Sequence, residues 1–124
     1  MKPPEGASRR TAVATLDPPE APHSCCPTFH RAVELVGKRW TGAILYVLLE
    51  SQRPLRFSEI AHAVPDLSDR LLSERMKELE KRGIVVRHVA ATSPVRVEYE
   101  LTERGRELAP ALNELKRWAD RWLD

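Results

Sequence analysis

From Thr28 to Leu49 apolar residues recur with helical spacing. Phe29, Ala32, Val33, Leu35 and Val36 crowd one side of a short helix that Gly37 closes. Trp40, Ile44, Leu45, Val47 and Leu48 carry a second to about Glu50, apolar enough for the middle of a core. Ile60, Ala61 and Val64 predict a two-turn third helix, with Ser58 as its expected N-cap and Pro65 as its stop. Ser68 caps a fourth over 69–82, where Leu72, Met76 and Leu79 stand at i, i+4 and i+7 before Gly83. The turn Pro65-Asp66-Leu67 between the last two gives them the proportions of a helix-turn-helix. Two β-branched runs, 84–89 and 95–101, predict a hairpin whose connection is too long for a two-residue turn, so its tip protrudes. Thr102 is expected to cap one closing helix, with Leu108, Leu112, Leu115, Ala119 and Trp122 on a seam close to a heptad. The pattern describes an α+β chain, a winged helix-turn-helix with extra N- and C-terminal helices.

Composition adds an arm. Six of the ten prolines, Pro3, Pro4, Pro18, Pro19, Pro22 and Pro27, fall in the first 27 residues, so 1–24 reads as a disordered proline-rich arm and 25–124 as the domain. At 124 residues, with 42% apolar and 31% charged, the chain has room for one core under a polar surface. Its longest apolar run, Ala43 to Leu49, is far short of a membrane span, and no apolar signal segment opens it, so a cytoplasmic protein is expected. Cys25 and Cys26 are adjacent, which excludes a structural disulfide framework and argues against zinc, whose structural sites space their cysteines by two to four residues. No metal or cofactor is expected. Glycine-rich phosphate loops, nucleophile elbows and paired carboxylates are absent, so an enzyme is not expected either.

A net charge of +2 hints only weakly at a polyanionic partner, and placement has to decide. The helix 69–82 displays Ser68, Asp69, Arg70, Ser73, Glu74 and Lys77 away from its apolar stripe, side-chain types that read base edges from a helix in the major groove. The same residues also suit a solvated face laced by pairs such as Arg70 with Glu74. From Ile84 to Arg96 the hairpin carries Arg87, His88 and Arg96 and no acidic residue, a wing suited to phosphates or to the narrow groove. On the closing helix, Trp118 and Trp122 lie beside Leu112 and Leu115, more apolar surface than a lone terminal helix buries. Either both tryptophans fold back on their own domain, or the helix pairs with a symmetry mate and sets two recognition helices about one DNA turn apart.

Cys26-Pro27, Gly37-Lys38-Arg39-Trp40, Arg56-Phe57-Ser58-Glu59-Ile60, Leu67-Ser68 through Leu72-Ser73-Glu74-Arg75-Met76-Lys77-Glu78-Leu79, Gly83-Ile84-Val85 and Pro94-Val95-Arg96-Val97-Glu98-Tyr99-Glu100-Leu101-Thr102 stand in this order. Together they resemble the HxlR family of bacterial winged-helix regulators, from Cys26 to Asp124. The proline-rich arm, Cys25 and Met76 depart from the usual pattern. The resemblance implies a homodimeric transcription factor, expected to act as a repressor. It places DNA contacts among Arg56, Ser68, Asp69, Arg70, Ser73, Glu74, Lys77 and Arg96, and the apolar positions Phe29, Leu108, Leu112, Leu115, Trp118 and Trp122 are the candidates for the contacts of the dimer it implies. It also implies a thiol sensor at Cys26, with Cys25 beside it, because several family members sense oxidants or electrophiles there. A helix N-terminus favours a thiolate, while the plainer role for Cys26 is a small apolar residue at the dimer interface. A small-molecule inducer held between the dimerising helices and a winged helix that recognises protein are the alternatives.

Overall fold

The computed structural model of the chain describes residues 26–124; the expected arm and Cys25 lie outside them. The elements are α1 (Pro27–Val36), α2 (Thr41–Ser51), α3 (Phe57–Ala63), α4 (Asp69–Lys81), β1 (Val85–Ala90), β2 (Arg96–Leu101), α5 (Glu103–Arg106) and α6 (Ala109–Trp122). Leu35–Asp124 form one compact unit, and α1 up to Glu34 is described by itself. No helix among the described residues is long and apolar enough to cross a membrane.

Pro27 opens α1 at the position where a missing amide costs nothing, and the His30 N–H donates to the Cys26 carbonyl at 2.9 Å. In the larger unit α2 is the central rod. Its Ile44, Leu45 and Leu48 meet Ile60 of α3, Leu72, Met76 and Leu79 of α4, and Val85 and Leu101 of the hairpin in one buried cluster. The strands pair antiparallel, from Val85 opposite Leu101 to Ala90 opposite Arg96. Leu55 adds a third rung on the other edge of β2: its N–H donates to the Tyr99 carbonyl at 2.8 Å and its carbonyl accepts the Tyr99 N–H at 2.7 Å.

The ends of α4 follow the sequence closely. Ser68 Oγ accepts the Leu71 N–H at 3.2 Å. Gly83, at φ 74°, turns the chain out so that its N–H reaches the Glu80 carbonyl while the Ile84 N–H reaches the Leu79 carbonyl, a Schellman closure that only glycine adopts without strain.

Two expectations change. Helix α3 is capped by Arg56, not Ser58: Arg56 is extended, and the Glu59 carboxylate accepts its N–H at 2.9 Å, so the acid on the first turn supplies the cap while Ser58 lies inside the helix. The closing helix is two helices. Thr102 caps only the single turn α5, its Oγ1 accepting the Gly105 N–H at 3.2 Å, and α6 restarts at Ala109 with Pro110 in its first turn. Pro110 has no N–H to give and its ring would strike the carbonyl four residues back, so one continuous helix cannot run through it.

Candidate nucleic-acid interface

Because Leu72, Met76 and Leu79 of α4 are buried, the opposite side of the helix is fixed by geometry. Arg70, Glu74 and Lys77 lie there, all exposed, and Lys81 continues the same stripe one turn further. Arg70 and Glu74 form an ion pair at 3.7 Å, but the Arg70 side chain is 92% exposed, so the pair holds it only weakly. Ser73 is half-buried on the flank. Ser68 is spent on the cap, and Asp69 sits in the first turn, where the helix dipole favours a carboxylate. The sequence reading stopped at Lys77; extending the same period by four residues reaches Lys81.

Arg56 is exposed at the start of α3, one helix away from α4. Beneath it Arg53 donates to both oxygens of Glu59, at 3.2 and 2.8 Å. Those bonds, with the Arg56 N–H, hold the Glu59 carboxyl down at about 2.

The wing is less basic than its own segment suggests. His88 Nε2 lies 2.6 Å from Glu100, and Arg96 Nε donates to Glu98 at 3.0 Å. Glu100 also accepts from Arg106 at 3.1 Å. The acidic partners stand on β2 just past the all-basic window: Glu98 is two residues from Arg96 on the same strand, while only the pairing of β1 with β2 brings Glu100 to His88. Arg87 remains exposed with no ion pair among the described residues.

At the other end of α4, the turn before α2 is pinned from two sides. Lys38 Nζ lies 3.3 Å from both Glu78 oxygens, and Arg75 Nε donates to the Arg39 carbonyl at 3.1 Å. The turn needs such support, because Trp40 is held at φ 76°, a left-handed conformation that a bulky side chain rarely adopts. Its ring lies partly within the core, with the Arg39 guanidinium 5.0 Å from its centroid.

Cys26 is exposed at the start of α1, and backbone hydrogen bonds from Phe29 and then Thr28 lower its thiol pKa. The apolar candidates divide. Leu112 is buried and Leu108 half-buried in their own unit, whereas Leu115, Trp118 and Trp122 on α6 stay exposed, at 58%, 53% and 64%. Phe29 on α1 is 63% exposed.

Residues 35–124 match the HxlR-like helix-turn-helix family. The chain is 50% identical over 99 residues to the uncharacterised HTH-type transcriptional regulator YvaP of Bacillus subtilis, covering 80% of this chain and 90% of that protein. It is 42% identical over 102 residues to the HTH-type transcriptional regulator YodB of the same organism, covering 82% and 89%. The reduced form of YodB superposes with a TM-score of 0.72 over 82% of this chain and 97% of that one, and YodB is also known in diamide-treated and quinone-bound crystals. The redox regulator HypR, in its oxidised form, is 34% identical and matches with a TM-score of 0.72 over 80% of this chain and 99% of its own.

Proposed function

The chain belongs to the HxlR-like helix-turn-helix family, and from that premise we propose that it represses transcription as a homodimer on a pseudo-palindromic operator. It is a DNA-binding transcriptional regulator with a winged helix-turn-helix, not an enzyme. In the proposed complex α4 enters the major groove, Arg70, Glu74 and Lys77 meet base edges, Arg56 meets the backbone, and the wing with Arg96 lies on the flanking strand. The observation that carries this reading is the outward stripe of α4: polar, exposed and rigidly backed by Leu72, Met76 and Leu79.

A homodimer is supported by Leu115, Trp118 and Trp122, three large apolar side chains left open on one amphipathic helix. A thiol switch at Cys26 is supported by its exposure and its lowered pKa, and by the diamide and quinone forms of YodB. A ligand-controlled version of this reading would use not a site between the dimerising helices but a pocket of about 400 Å³ inside the larger unit, with Leu48, Leu49 and Leu101 in its wall and Arg53, Glu100 and Arg106 around it.

The test is selection of genomic fragments by the purified, reduced protein at physiological salt, repeated after diamide and scored for an enriched inverted repeat. Enrichment lost on oxidation, and retained in Cys26→Ser, is the expected result. Enrichment that oxidation leaves untouched removes the thiol switch and favours the pocket, and no enrichment in either state removes the operator reading.

A further inference from the structure

Two long-range contacts, Lys38 with Glu78 and Arg75 with the Arg39 carbonyl, hold the turn 37–40 against the distal half of α4. The same side chains border an open groove of roughly 630 Å³, lined by Lys38, Arg75, Lys77, Lys81 and Arg82 together with Glu74 and Glu78. The charges do not balance. Glu78 is matched by Lys38 and Glu74 by Arg70, while Lys77, Lys81 and Arg82 make no ion pair among the described residues. Four cations, Arg75 with only a neutral carbonyl among them, therefore face one groove without a counter-charge from the protein. The groove is too open to enclose a small molecule, and Lys77 and Lys81 also belong to the outward stripe of α4, so whatever fills it runs beside that helix.

We propose that this groove seats the sugar-phosphate strand bordering the major groove that α4 reads. Lys81 and Arg82 contact phosphates, and the Lys38–Glu78 and Arg75–Arg39 contacts brace the opposite wall. The inference rests on α4 entering DNA. It adds a second backbone contact, remote from the wing, that carries affinity but no sequence information.

The full chain and its Lys81→Ala, Arg82→Ala double variant are titrated with a random-sequence duplex of about three helical turns across a series of salt concentrations. Both side chains are exposed, so the thermal unfolding curve should be unchanged. The steepness of log K against log salt should fall by about 0.9 for each cation removed per bound protomer. The variant Lys81→Arg, Arg82→Lys, which keeps both charges, should return the original slope. Wild-type binding with an unchanged slope in the alanine variant overturns the groove and leaves α4 as the DNA reader, as does a slope that falls equally in the charge-keeping variant. A wild-type chain that binds no duplex overturns both.

Discussion

The Cys26 thiol accepts hydrogen bonds from the first turn of α1, and these donors favour its thiolate. Unfolding removes them, so the folded pKa lies below the unfolded one and the native thiol reacts at lower pH. In a Cys25→Ser background, the rate of iodoacetamide alkylation plotted against pH should rise on the acid side of the curve taken in denaturant. Coincident curves would show that the helix end does nothing to the thiol. Gly105 is constrained by packing instead. A Cβ there would strike the Ile84 carbonyl oxygen and approach Leu101 Cδ2 at 3.0 Å, whereas one at Gly42 would meet only the Val36 carbonyl oxygen at 3.6 Å. Gly105→Ala should cost about 1–3 kcal/mol in a denaturant melt. Gly42→Ala should gain about 0.4–1 kcal/mol, mostly by restricting the unfolded chain.

Among the elements, α3 depends on an acid for its start. Arg53 and the Arg56 N–H hold Glu59 at about 2, against 4.5 for an ordinary glutamate. A depressed carboxyl stabilises the fold above its unfolded value, and that contribution disappears as pH falls from about 4.5 through about 2. Glu59→Gln should therefore show a shallower fall of melting temperature across that window than the wild type. For α4 and the wing the distinction is between base and phosphate contacts. Arg70→Ala should cost about 1–3 kcal/mol on the preferred operator only, while Arg96→Ala should weaken binding to every duplex alike; equal losses on random DNA for both would contradict those roles. Helix α4 was legible in the sequence because both its signals, Ser68 and Gly83, are local. The cap of α3 was missed because a serine one residue inside the helix carries the same composition signal, and only the extended Leu55–Arg56 segment, tied to Tyr99, sets the start. Pro110 was in plain sight, but the heptad-like leucines on either side masked the break it imposes.

For the whole molecule, the unresolved demand is α6. With Leu115, Trp118 and Trp122 open to water, the wild type should sediment with a two-chain mass, and Trp118→Glu together with Trp122→Glu should leave a one-chain mass at the same concentration and weaken operator binding. A one-chain mass for the wild type at every concentration would remove the dimer. The seam read from the sequence joins Leu108 and Leu112 to the exposed residues, since spacing does not separate the part a helix buries in its own domain from the part it leaves outside. Charge pairing was hidden for a similar reason. That Glu100 meets His88 depends on strand pairing, which no window of neighbouring residues contains, whereas Glu98 stands only two residues from Arg96, just past the edge of the all-basic run. A protein searching a chromosome spends most of its time at wrong addresses, detained there by phosphate attraction alone. If the wing meets DNA as proposed, the two carboxylates held beside it weaken that attraction and should shorten each of those stops.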